Sequence, residues 1–153
     1  IVENVAWDFL ELTEKWCEIA KNADAVCFGS LAQRNKVSGR TIREFIGLVK
    51  GLRIFDVNLR QGYFSVDVLE KSFELANVVK LNHEELPIII KLLNINGASV
   101  QICLEKLMQK FELNLICLTR GAKGSLLKTK KEVSDYQGLK IKVADTIGAG
   151  DAF

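Results

Sequence analysis

A chain of 153 residues has room for one domain with a real core, and 48% hydrophobic with 26% charged residues is the composition of a globular protein. The net charge of +2 comes from basic residues interleaved with acids, so neither nucleic acid nor a membrane surface is expected as a partner. The longest apolar stretch, residues 86–93, is interrupted by Lys91 and is too short to span a bilayer.

Taken in chain order, apolar runs of strand length alternate with longer amphipathic segments. Residues 25–28 read as a buried strand ending at Gly29-Ser30. Residues 37–50 read as a helix, with Ile42, Phe45, Ile46 and Val49 at helical spacing and Ser38 near the start. A strand over 52–59 is followed by a helix over 66–75, with Ser65 as its cap. A third strand over 78–81 leads into a helix over 83–93, where Pro87 fits the first turn because its missing N–H costs little there. Residues 99–111 read as another helix, with Ile102, Cys103, Leu107 and Phe111 along one side. Residues 115–118 form a strand, 124–128 open a hairpin, and 141–144 form a final strand.

Strands separated by helices imply parallel pairing in a layered α/β sheet with helices on both faces. Ligand sites in such sheets lie beyond the carboxyl ends of the strands. The polar and unusual residues fall there: Gly29-Ser30, Asn58-Leu59-Arg60, Asn82-His83-Glu84-Glu85, Thr119-Arg120-Gly121 and Asp145-Thr146. Asn82 and Glu85 sit three apart at a helix start, which is a capping arrangement and equally a way to aim two polar groups at one site. Asp56, Asn58 and Arg60 alternate along one strand and into its loop, so they point to one side, and a charged Asp56 there needs a partner. Thr119-Arg120-Gly121-Ala122-Lys123-Gly124 reads as a tight turn into the hairpin. His83, the only histidine, reads as a surface residue. Cys17, Cys27, Cys103 and Cys117 show no Cys-x-x-Cys spacing, and Cys27 and Cys117 fall in predicted buried strands, so core packing of reduced thiols and a cytoplasmic setting are expected.

The most informative segment is the last: Asp145-Thr146-Ile147-Gly148-Ala149-Gly150-Asp151-Ala152-Phe153. A strand-like run leads into a glycine-rich turn at a helix start, where unpaired backbone N–H groups form an anion site. Asp151 would repel a phosphate, and makes sense as a base that takes a proton from an attacking hydroxyl. A Walker-type loop needs a lysine and a hydroxyl residue after its last glycine, and a dinucleotide fingerprint needs a third glycine where Phe153 stands. A purely structural turn is the remaining alternative.

This segment resembles the C-terminal signature of the ribokinase-like sugar kinases, the phosphofructokinase-B family, Asp-Thr-x-Gly-Ala-Gly-Asp-x-Phe, at every fixed position. Lys80-Leu81-Asn82-His83-Glu84-Glu85 resembles the family's Asn-x-x-Glu motif, Asp56-Val57-Asn58-Leu59-Arg60 its Asp-x-Asn-x-Arg stretch, and residues 119–124 its nucleotide-side segment. Val5-Ala6-Trp7-Asp8 and residues 27–34 are similar to the fructokinase-like branch.

The resemblance implies a three-layer α/β/α sandwich with a mostly parallel central sheet, and phosphorylation of a sugar hydroxyl by ATP. Asp151 becomes the base and a substrate contact, and the backbone of Gly148, Ala149 and Gly150 the anion hole. Asn82, Thr119, Gly121 and Gly124 are implied to lie near ATP, with Asn58 and Arg60 near the sugar. Glu85 is implied to help hold magnesium (Mg2+), largely through water, and Asp145 with the Ile147 carbonyl a monovalent cation such as K+. Arg120 and Lys123 either add charge at the phosphates or are solvated. Fructose leads as acceptor. A non-catalytic sugar- or nucleotide-binding relative, or a kinase for a vitamin or nucleoside alcohol, are the alternatives. Residues 1–153 read as a partial core domain of a longer kinase, itself a possible homodimer, lacking the lid and C-terminal helices and inactive alone. The exposed sheet edge and the face those helices cover are the expected weak points.

Overall fold

The computed structural model describes residues 1–140, 142, 145, 148–150 and 153. Six strands form one sheet in sequential order: β1 (Ala25–Gly29), β2 (Leu52–Asp56), β3 (Val78–Asn82), β4 (Leu115–Thr119), β5 (Ser125–Thr129) and β6 (Val133–Tyr136). The first four pair in parallel, and β5 and β6 add antiparallel, so the predicted hairpin extends the sheet rather than standing apart from it. The helices are α1 (Glu14–Asn22), α2 (Lys36–Leu48), α3 (Val66–Leu75), α4 (Glu85–Leu92) and α5 (Val100–Lys110).

Most boundaries follow from local chemistry. Ser65 and Ser99 accept the N–H groups of Val68 and Ile102 and cap α3 and α5. Asn35 caps α2, while Ser38 lies inside it and accepts the Leu10 N–H at 2.8 Å. On α5 the buried side carries Cys103, Leu104, Leu107 and Met108; Ile102, expected on that side, is exposed. Helix α1, which the hydrophobic spacing did not disclose, lies against α2 through an edge-to-face contact of Trp16 with Phe45.

Sequential strand order with right-handed crossovers sends the connecting helices to one face. There Phe28, Phe55, Val79, Leu81, Ile116, Leu118 and Leu126 lie buried beneath Ile46, Leu69, Phe73, Ile89, Leu104 and Leu107. Phe28, Phe55, Phe73 and Phe111 form a continuous aromatic line with centroids 5.0–5.4 Å apart, a stiff spine under the strand ends. The mostly parallel sheet is that expected; among the described residues the helices cover one face, where helices on both were expected. Alternation of side chains puts Cys27, Ile54, Val78 and Leu115 in register on the opposite face, where each is exposed or half-buried. Cys27 and Cys117 therefore sit on this second face and not in the core, because a strand buries only every other residue beneath a single helical layer.

Candidate active site at the strand ends

Parallel pairing brings the carboxyl ends of β1 to β4 to one side of the sheet, and their loops carry the residues singled out above. The extended run in the second loop ends sooner than predicted. Asn58 takes φ +39, a left-handed value that terminates β2 at Asp56 instead of residue 59. The alternation argument therefore holds for Asp56 and fails for Arg60, which leaves the strand and is exposed. Asn58 is half-buried and lines a cavity of about 410 Å³ with Trp7, Phe28, Ser30 and Asp56. Asp56 is the structural partner expected of it, at 2.9 Å from the Lys80 ammonium.

Asn82 and Glu85 make a reciprocal cap. The Asn82 Oδ1 accepts the N–H groups of Glu84 and Glu85 at 2.9 Å, and the Glu85 Oε2 accepts the Asn82 N–H at 2.8 Å. These bonds form a turn ahead of α4, which explains why the helix starts at Glu85 and not at His83; His83 is exposed. The other Glu85 oxygen, Oε1, accepts the Leu59 N–H at 2.8 Å. Burial pushes this carboxyl up from the ordinary range, against the N–H bonds that hold it down.

Thr119 pairs directly with Asn82 across β3 and β4, so the two residues that the resemblance implied to lie near ATP stand side by side. Gly121 and Gly124 both have left-handed φ, +57 and +85, around a 3₁₀ turn. Arg120 is turned to the hairpin: its guanidinium pairs with Asp135 and donates to the Ser125 carbonyl at 3.0 Å. That arrangement holds the Asp135 carboxyl below its usual range and gives Arg120 a structural task in place of the phosphate contact considered for it. Lys123 is exposed, as a solvated residue would be.

Residues 148–150 form a turn, with φ +74 at Gly148, and the Phe153 N–H donates to the Gly150 carbonyl at 3.3 Å. A Cβ built on Gly150 would lie 3.6 Å from the Lys80 Nζ. The turn is thus brought over the middle of the sheet, beside the Asp56–Lys80 pair. Asp145 is exposed. Asp151 and Ile147, and most of the strand expected over 141–144, lie outside the described residues. Lys80 and Ser30 also stand at this end of the sheet, and the resemblance implies no role for either. For Lys80 the signal was present: it is two residues before Asn82 on the same strand and so shares its face.

Among the described residues no three His, Cys, Asp or Glu side chains come together as a metal cluster. Glu85, 6% exposed with an N–H on each oxygen, fits magnesium through water rather than as a direct ligand.

The two blocks similar to the fructokinase-like branch meet in space. Asp8 and Arg34 form a two-armed pair, both bonds 2.8 Å, with side chains 3% and 6% exposed, and Arg34 lies between the rings of Trp7 and Tyr63. Hydrogen bonds from Arg34 hold the Asp8 carboxyl below its ordinary value of 3.8. A depressed carboxyl contributes stability that is present above the unfolded value and lost as pH falls through the folded one. The denaturation midpoint of the full-length protein should therefore fall as pH drops below 3.8, and Asp8→Asn should flatten that acid limb while lowering the midpoint at neutral pH. Unfolding curves across that range check it, and an unchanged acid limb would count against the pair.

The family model for the pfkB family carbohydrate kinases matches residues 3–153, and the chain belongs to that family. A putative sugar kinase of Pyrococcus horikoshii is 32% identical over all of this chain and 47% of its own length. An Escherichia coli fructokinase is 30% identical over 95% of this chain and 48% of its own. Among solved structures, the fructokinase of Vibrio cholerae O395 bound to fructose, ADP and calcium superposes with a TM-score of 0.72 at 30% identity, over 84% of this chain and 42% of that one. The sheet thus has the ribokinase-like fold that its motifs implied. The chain spans about half the length of the curated relatives it matches.

Proposed function

We propose that the protein containing this chain is an ATP-dependent sugar kinase, with fructose the leading acceptor, and that residues 1–153 form part of its kinase core. The observation that carries this reading is the convergence of four motif blocks on one side of the sheet. Asn58, Asn82 and Thr119 lie at adjacent strand ends, and the 148–150 turn reaches the same region beside Lys80. The relatives support it, being named fructokinase and sugar kinase.

In this mechanism Asp151 takes the proton of an acceptor hydroxyl. The oxygen then attacks the γ-phosphorus in line as the bond to the departing ADP oxygen breaks. Backbone N–H groups of residues 148–151 receive the charge that spreads over the phosphoryl oxygens; the Lys80 ammonium beside the turn is held by Asp56. Asn82, Thr119, Gly121 and Gly124 bind on the nucleotide side; Asn58 and Arg60 bind on the acceptor side. Glu85 would hold Mg2+ through water, where the ion would neutralise phosphate charge, and Asp145 with the Ile147 carbonyl would hold a monovalent cation such as K+. The working site is in the cytoplasm, where the four thiols stay reduced.

The test is ADP release by the full-length protein against a panel of sugars, sugar acids and ribosides. A signal that depends on one acceptor establishes the activity and names the substrate. Tight binding of sugar and ATP without turnover would sink the enzymatic reading and leave a binding module.

A further inference from the structure

The loop from Val57 to Arg60 is held from both sides by buried groups. From the end of β1, the Ser30 hydroxyl, 1% exposed, donates to the Val57 carbonyl at 2.8 Å and lies 3.4 Å from that of Asn58. From the start of α4, Glu85 accepts the Leu59 N–H on one oxygen and the Asn82 N–H on the other. Between these anchors Asn58 holds its left-handed φ, and the Leu59 side chain packs against the core. Two converging N–H donors need two acceptors on one rigid planar group. A carboxylate supplies both, whereas an amide presents one acceptor and one donor.

We infer that Glu85 is a positioning residue for the acceptor, fastening the Asn58–Arg60 loop to the nucleotide-side end of β3 so that the sugar and nucleotide motifs keep a fixed separation. This rests on the sugar-kinase reading and adds a task to Glu85 beyond any contact with magnesium. Ser30 is the second anchor of the same loop. In-line transfer is sensitive to the distance between hydroxyl and phosphorus, so loosening either anchor should act first on the acceptor.

The experiment compares the full-length protein with its Glu85→Gln and Ser30→Ala variants. Fructose is varied at saturating ATP and magnesium, and amide hydrogen exchange is read at Leu59. Both variants should raise the fructose KM and lower kcat/KM by about 10–100-fold. The ATP KM should change far less than the fructose KM, and excess magnesium should not restore the loss. Leu59 exchange should quicken in Glu85→Gln. A Glu85→Gln protein with wild-type fructose KM and Leu59 protection, or one repaired by magnesium alone, would overturn the inference. If Glu85→Gln does not fold, Ser30→Ala with an unchanged fructose KM and an unchanged loop overturns it equally. A wild-type protein that phosphorylates nothing sinks the kinase reading, and the Leu59 exchange then decides the loop attachment by itself.

Discussion

Asp151→Asn in the full-length protein should lower kcat by about 10²–10⁴-fold while leaving sugar and ATP binding nearly unchanged. Asparagine keeps the shape of the side chain and its place after Gly150, but it cannot take a proton from the acceptor hydroxyl. The glycine turn at residues 148–150 favours an anion here, while the Lys80 ammonium beside it is already paired with Asp56. An unassisted carboxylate would only repel that anion. Steady-state rates with calorimetric binding of both ligands check the expectation. A variant that turns over at the wild-type rate would move the base elsewhere, and one that loses binding would make Asp151 a substrate contact only.

Gly124→Ala should destabilise the full-length protein by roughly 2–5 kcal/mol, whereas Gly121→Ala should cost about 1–2 kcal/mol. Both glycines have left-handed φ, so an alanine is strained at either. Their surroundings differ. A Cβ on Gly124 would fall 2.0 Å from the Tyr136 carbonyl oxygen and 2.5 Å from the Gly138 nitrogen, and both are backbone atoms. On Gly121 it would meet nothing within 4 Å. Gly124 therefore serves closure of the β5–β6 hairpin against the turn that follows β4, whatever it does for a nucleotide. Denaturation midpoints of the two variants, measured side by side, check this; equal and small losses would remove hairpin closure as the reason for the glycine.

The same contrast runs through the rest of the site. Capping was legible because it is local: Ser65 and the Asn82–Glu85 spacing each announce an N–H partner within three residues. Strand alternation was legible for the same reason, and the cost of an unpaired charge in an apolar strand correctly gave Asp56 a structural partner. Alternation failed at Arg60 because one residue, Asn58, adopts a left-handed conformation held by the Ser30 and Glu85 contacts, and those come from segments 28 and 26 residues away. Arg120 was open to two readings in sequence, at the phosphates or solvated; its pairing with Asp135, fifteen residues on, is a third that neither foresaw. Cys27 and Cys117 were placed in the core because apolar strand residues are counted without knowing how many helical layers cover them.

By itself the sequence determined the alternation of strands and helices, the polar residues at the strand ends and the signature that ends in Asp151. These depend on chemistry within a few residues, where side-chain period and capping act directly. Only the tertiary structure decided that Glu85 joins the Asn58–Arg60 loop to β3 and that Lys80 stands beside the glycine turn. It also decided that Asp8 and Arg34 unite two distant blocks. Each of these is a contact between segments far apart in the chain, and its partner is chosen by how strands, helices and loops pack together, which no local pattern encodes.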